Sequence, residues 1–428
     1  MLWLYRLVFL PALLLLAPRY LLRMRRRGGY GEDFSHRFGG HPRLKAKKDG
    51  RPRVWLQAVS VGEMLAIGPL LEGLKRDGAE IYLTTTTSTG YRLAVDRYAG
   101  LVAGVGYFPI DWWWFSARAW GRIAPDLAIL TEGERWPEHL EQARRRGVPV
   151  VCINARLSDK SFGRMRRWPA AARLMVGGLA RVLAAAPGDA ERFAALGVPR
   201  ERLAVTGNIK LDVRLTPLDA GARAVLRAEL GLPAEGAVLV GASTWPGEEA
   251  ALIGAWRAAR AAGIACALLV VPRHAERRTE LEKLFAKENV RAHFRSRGRS
   301  HAVVEVAVGD TTGELRKLLQ LADLVFVGKS LAPHTEGQTP VEAAALAKPI
   351  LCGPGMSNFR AITGELRARG AAREVADPAA LAAATVELLR DEAARARLAT
   401  AAAAWRAENG GALDRTLAIL RSELALRA

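Results

Sequence analysis

A strand–turn–helix alternation that runs twice through the chain constrains its fold more than any other feature. Apolar β-type runs at Val54–Val59, Ile81–Thr85, Leu127–Leu130, Val148–Ile153 and Arg181–Ala186 are separated by helical patterns. Leu215–Gly221 contains Pro217 and reads as a linker, after which the pattern restarts. The second pass places strands at Ala237–Ala242, Ala265–Val271, Leu324–Val327 and Pro349–Cys352, and helices at Glu248–Ala262, Glu276–Glu288 and Gly313–Leu321. Strands alternating with helices imply crossovers, hence parallel sheets covered on both faces. A chain of 428 residues exceeds what one core normally supports. Two similar α/β halves are therefore expected, with ligands at the carboxyl ends of strands and a cleft between the halves. Arg291–His301, rich in Arg and Ser, reads as an exposed loop, and the Ala-rich Pro378–Ala428 as two or three helices.

The strand ends carry the polar chemistry. Val54–Val59 runs through a tight turn into a helix marked by Met64, Leu65, Ile67, Leu70, Leu71 and Leu74 at helical spacing. Gly62 lets the backbone approach a ligand, and Glu63 is the candidate catalytic base. Ser60-Val-Gly-Glu63 is equally a capping box, in which Ser60 bonds the third amide and Glu63 returns to the Ser60 N–H. A carboxylate there is held as the anion, which makes it a weak base unless apolar surroundings oppose. Further polar strand ends fall at Thr85–Gly90, Thr131–Pro137, Asn154–Ser158 and Gly207–Asp212, and in the second half at Ala242–Glu249, Val271–Arg277, Gly309–Leu315, Val327–Glu342 and Gly353–Phe359. Thr131–Glu134, Thr311–Glu314 and Thr339–Glu342 share the capping-box spacing, the last with Pro340 at the first helical position. There is no Walker loop and no full G-x-G-x-x-G, and the seven histidines show no metal-ligand spacing.

Charge is uneven. Of a net charge of +20, half sits in residues 1–53, where Lys and Arg face only Glu32, Asp33 and Asp49. Such a block points to an anionic surface. Leu7–Pro18 is nearly all apolar and is followed by Arg19, Arg23, Arg25, Arg26 and Arg27, which favours a membrane over nucleic acid. With Met1–Tyr5 added, the segment could just span a bilayer or lie obliquely in one leaflet. The charge follows the apolar run, unlike a cleaved signal peptide, and the positive-inside rule leaves the body cytoplasmic. A helix docked on the protein's own core is the competing reading. Cys152, Cys266 and Cys352 lie far apart in apolar runs and read as buried free thiols.

Taken in order, Ser60-Val-Gly-Glu63, Thr84–Gly90, Glu134-Arg-Trp-Pro137, Asn154–Ser158, Gly207-Asn-Ile-Lys210, Pro272-Arg-His274, Gly313-Glu314, Gly328–Ser330, Pro340-Val-Glu342 and Asn358-Phe359 resemble the Kdo transferases (3-deoxy-D-manno-octulosonic acid transferases), over nearly the whole chain. The resemblance implies a GT-B glycosyltransferase, an α/β protein with two Rossmann-like domains facing a cleft and an N-terminal membrane anchor. It implies an inverting enzyme moving Kdo from CMP-Kdo to a lipid A precursor, lipid IVA, in lipopolysaccharide biosynthesis, at the cytoplasmic face of the cell inner membrane. Neither a metal nor a cofactor is implied beyond the donor substrate, and no nucleic-acid partner. The implied domains are 1–27 (membrane anchor and basic cluster), 28–215 (acceptor-binding) and 216–428 (CMP-Kdo-binding, with the C-terminal helices). Carried over by residue, Glu63 resembles the general base, and Glu134 and Lys210 resemble groups that stabilise the transition state. Pro272, Arg273, Thr312, Gly313, Glu314, Thr339, Pro340, Val341 and Glu342 resemble the CMP site. The chain departs from the family at Thr335–Thr339, one residue longer than usual, at Lys329 in place of glycine, at Thr312 in place of methionine, and at Gly133 and Arg135. A nucleotide-sugar transferase acting on another lipid would keep this architecture. A basic, non-enzymatic scaffold would explain the charge but not the polar strand ends in both halves.

Overall fold

The computed structural model describes residues 1–26, 32–45, 50–213 and 215–425, without the side chains of residues 10, 19–21 and 23–26. Arg27 and the side chains of Arg19, Arg23, Arg25 and Arg26, the expected basic cluster, lie outside the described residues. Two compact units form, Met1–Asp212 with Gly411–Ala428, and Val213–Gly410.

In the first unit the strands are β1 Arg53–Gln57, β2 Glu80–Thr85, β3 Gly104–Tyr107, β4 Leu127–Thr131, β5 Val150–Ala155, β6 Arg181–Ala184 and β7 Leu203–Val205. They pair in the order β3-β2-β1-β4-β5-β6-β7, parallel throughout. Every residue of β1 is buried. Val54 and Leu56 join Met64, Leu70 and Leu74 in one core, while Trp55 joins Trp120 and Phe108 in the other. The two-residue period of a strand sends alternate side chains to opposite faces, and with helices on both, the run is continuously apolar.

The second unit repeats the plan with β8 Ala237–Thr244, β9 Cys266–Pro272, β10 Ala292–Phe294, β11 Val306–Val308, β12 Leu324–Val327, β13 Ile350–Cys352 and β14 Ala372–Glu374. The order is β10-β11-β9-β8-β12-β13-β14, again all parallel. Two doubly wound Rossmann-like units are the GT-B architecture that the resemblance implies. Arg291–His301 is not simply a loop: β10 pairs there with β11, His293 opposite Ala307, and Phe294 is buried. Three residues with one apolar anchor leave no period to read.

The tail forms three helices, Pro378–Arg390, Glu392–Asn409 and Ala412–Ala425. The last belongs to the first unit, which corrects the expected 216–428 grouping. Leu413, Leu417 and Leu420 share a core with Leu70, Leu71 and Leu74 of the helix Gly68–Arg76. A Cβ on Gly73 would stand 2.6 Å from Leu417 Cδ1, so any larger residue there would force the Leu417 side chain to shift. The Asp212 carboxylate accepts from the N–H groups of Gly411 (3.2 Å) and Leu413 (2.7 Å), where a helix N-terminus favours negative charge.

The N-terminal helix is Leu2–Arg26. On one side it is tied to the first unit: Tyr5 Oη donates to Asp111 (2.7 Å), and the Arg6 guanidinium makes a two-point contact with Glu138 (2.9 and 3.0 Å). Glu138 is fully buried. Trp3, Leu4, Leu7, Val8, Leu14 and Leu15 are exposed. Among the described residues no helix is long and apolar enough to cross a membrane. The three cysteines are free and buried as expected. Burial pushes the thiols of Cys152, Cys266 and Cys352 up to about 12, 11 and 12.

Candidate active site

In the first unit the polar groups gather at the carboxyl edge, where β1, β4 and β5 are neighbours. Glu63 lies in the helix Val61–Ala66, and the Ser60 side chain caps that helix by accepting from the Glu63 N–H (3.2 Å). The capping reading is thus present, with a change of partner. The Glu63 carboxylate accepts from the Val59 N–H (3.0 Å) and the Ser60 hydroxyl (2.8 Å), not from the Ser60 N–H. A third donor, the Thr131 hydroxyl at the end of β4, lies at 2.6 Å and bridges the strand ends. Oε1 is held only by the Ser60 hydroxyl among these contacts. A hydroxyl rotates and can exchange that bond for a substrate hydroxyl.

Glu134 accepts from Trp136 Nε1 at 2.6 Å. Burial pushes its carboxyl up to about 7; the Trp136 bond pulls the other way, the negative charge of Glu63 adds to the rise, and Arg135 and Arg37 oppose it. Two carboxyl groups thus sit within reach of each other's field in different surroundings, one hydrogen-bonded by three donors and one buried.

Lys210 does not meet Glu134. It forms an ion pair with Glu132, a residue that the sequence reading passed over. Glu132 also accepts from Asn154 Nδ2 (3.2 Å), and Asn154 Oδ1 accepts from the Ile209 N–H (3.1 Å), next to Lys210. Both Glu132 (φ 51°) and Asn154 (φ 49°) occupy the left-handed region, and the β5–β6 register shifts between Cys152 and Ala155. Strain at two adjoining strand ends is the kind of feature that marks functional sites. The available signal was position, since Glu132 is the first residue after β4.

In the second unit Pro272 closes β9 and is buried, while Arg273 is exposed. Among the described residues no hydrogen bond or ion pair engages the Arg273 guanidinium. Thr312 and Gly313 are exposed after β11, and a Cβ on Gly313 (φ +85°) would meet nothing within 4 Å. Glu314 is less free: partial burial raises its carboxyl, but the Thr311 hydroxyl and Arg295 hold it below the ordinary range. Thr311 therefore bonds the Glu314 side chain and caps no helix, since the next helix, Leu315–Leu318, begins after Glu314 without a side-chain cap. Thr131 and Glu134 also form no cap; the helix beyond them begins at Pro137.

Thr339 accepts from the Val341 N–H (3.2 Å), one residue short of the expected partner, and Pro340 is the cap of Val341–Ala345 rather than its first residue. Glu342 is thereby released from capping. Its Oε2 is buried without a hydrogen-bond partner, and its Oε1 lies 3.8 Å from Arg316. A buried carboxylate oxygen with no donor fits a ligand hydroxyl. Lys329, at the family's glycine position, has φ 57°, which explains why glycine suits that site. Its ammonium sits 4.1 Å over the Trp245 ring. Buried Glu248 braces this loop, accepting from the N–H groups of Trp245, Lys329, Ser330 and Leu331 at 2.7–3.1 Å. Among the described residues no three His, Cys, Asp or Glu side chains come together as metal ligands.

A family model described as 3-Deoxy-D-manno-octulosonic-acid transferase (kdotransferase) matches residues 32–213. A 3-deoxy-D-manno-octulosonic acid transferase of Bordetella pertussis is 34% identical, over 97% of this chain and 99% of that protein. One of Haemophilus influenzae is 32% identical, over 98% and 95%. Among solved structures, UDP-GlcNAc 2-epimerase from Neisseria meningitidis shares the fold at a TM-score of 0.52 and 13% identity, over 88% of this chain and 100% of that one.

Proposed function

The chain belongs to the 3-deoxy-D-manno-octulosonic acid (Kdo) transferases, glycosyltransferases of lipopolysaccharide synthesis, and from that premise we propose that it moves Kdo from CMP-Kdo to lipid IVA with inversion at the anomeric carbon. The observation that carries the mechanism is the carboxyl pair in the first unit, Glu63 with its rotatable Ser60 partner and Glu134 pushed up to about 7 by burial. Glu63 takes the proton of the acceptor hydroxyl as that oxygen attacks the anomeric carbon, and the bond from that carbon to the CMP phosphate breaks. Lys210, fixed by Glu132, and Glu134 in its ionised form supply charge where the oxocarbenium-like transition state develops it. In the second unit the free Arg273 guanidinium suits the phosphate, and the unpartnered Glu342 oxygen suits a ribose hydroxyl. No metal is required in this scheme.

The N-terminal helix supports a proposed localisation. Among its exposed residues, Trp3, Leu4, Leu7, Val8, Leu14, Leu15 and Leu22 recur at helical spacing on one face, with Leu16 exposed off that face, while Tyr5 and Arg6 tie the first turns to the first unit. We read this helix as lying in the cytoplasmic interface of the inner membrane, apolar face down, where the acceptor lipid resides. Mass spectrometry of lipid IVA incubated with the enzyme and freshly generated CMP-Kdo tests the reading. Addition of Kdo with release of CMP is expected; no product from CMP-Kdo, with turnover of a different sugar nucleotide, would replace it with another lipid glycosyltransferase.

A further inference from the structure

The second unit contains a cavity of about 450 Å³ beyond the ends of β13 and β14. None of the residues expected at the CMP site lines it. One wall is the helix Arg360–Ala368, which presents Arg360, Thr363, Gly364 and Arg367, the i, i+3, i+4, i+7 face. His334 and Glu374 also line it. Thr363 is only 4% exposed, and its Oγ1 has no hydrogen-bond partner. Among the described residues, the exposed Arg360 guanidinium has no hydrogen bond or ion pair. Arg367, by contrast, is paired with Glu374. A Cβ added at Gly364 would meet nothing within 4 Å, so the space in front of the helix is open.

These groups define a ligand by their chemistry. An unpaired guanidinium is matched by a carboxylate, which it can bind at two points. A buried hydroxyl without a partner is matched by a sugar hydroxyl. The volume suits a monosaccharide rather than a nucleotide sugar. We propose that this cavity binds a carboxylate-bearing sugar, with Arg360 on the carboxylate and Thr363 on a hydroxyl. Choosing Kdo as that sugar rests on the function proposed above. It can arrive as part of the donor or as the free acid.

The test titrates free Kdo into the full-length protein and into Arg360→Gln and Gly364→Leu, with CMP titrated in parallel. Arg360→Gln removes a charged contact and should weaken free Kdo about tenfold or more. Gly364→Leu fills the open space and should abolish binding, while the melting point holds or rises because glycine is the poorer helix former. CMP affinity should stay unchanged in both. A donor KM raised about tenfold in Arg360→Gln identifies the cavity as the seat of the donor's sugar. An unchanged KM beside lost Kdo binding identifies a separate site for the free acid. Free Kdo that binds all three proteins alike, or does not bind the wild type, overturns the proposal. Failure of CMP to bind the wild type would strike the donor reading alone, because the Kdo titration still decides the cavity.

Discussion

Replacing Glu342 by alanine should weaken nucleotide binding without weakening the fold. The carboxylate follows Pro340, the cap of its helix, and contributes no cap bond, so the usual loss of about 1 kcal/mol on removing a cap does not apply. Its Oε2 is buried with no donor, a condition that costs roughly 1–3 kcal/mol. Alanine removes that burden, and the melting temperature should stay level or rise. With CMP bound, the same oxygen would accept from a ribose hydroxyl. A hydrogen bond to a charged group is worth about 1.5–3 kcal/mol, so CMP should bind roughly 10- to 150-fold more weakly. Calorimetric titration of CMP, paired with a melting curve, reads both quantities on one variant. Unchanged CMP affinity with a lowered melting temperature would show that the carboxylate is structural and remove it from the site.

Glu134 gives a pH signature. Its folded-state carboxyl is raised to about 7 from 4.5, so between those values the native state holds the extra proton and stability falls as pH rises, by on the order of 3 kcal/mol at most. Glu134→Gln should flatten that window in denaturant titrations from pH 4.5 to 7, and an identical slope in both proteins would refute the raised value. Exchanging Leu7, Leu14 and Leu15 for glutamine should move the protein to the soluble fraction with its melting point intact, because all three are exposed. Removing Arg6 should instead destabilise by about 3–5 kcal/mol, since it strands the buried Glu138; equal effects from both changes would undo the assignment of helix faces. Transfer by dialysed enzyme should survive EDTA in full, and activity lost and restored by Mg²⁺ would show that Arg273 does not suffice for the phosphate.

What was legible in the sequence was whatever depends on neighbours along the chain. Ser60-Val-Gly-Glu63 announced both a cap and a carboxylate at a strand end, and both are present. The T-x-x-E spacing misled at Thr311 and Thr339, because spacing does not say where a helix begins. The pairing of Lys210 with Glu132 rather than with Glu134 joins segments after β7 and β4, whose approach is set by a sheet order that no local pattern encodes. Glu248 is similar: its four backbone donors lie just beyond β8 and in the loop after β12, and the adjacency of those strands had to be seen. Leu413, Leu417 and Leu420 marked an apolar helix face, yet nothing in their period says which of two cores it covers.

The central claim is that Glu63 accepts the proton of the acceptor hydroxyl. Glu63→Gln keeps the size of the side chain and an acceptor oxygen for the Val59 N–H, but cannot take a proton. Single-turnover transfer of Kdo from CMP-Kdo to lipid IVA, at saturating substrates, measures the step directly. A fall of roughly 10²–10⁴ in rate, with CMP affinity and melting temperature nearly unchanged, is the predicted result. A near-normal rate with a lowered melting temperature would contradict it and leave Glu63 as the cap of its helix.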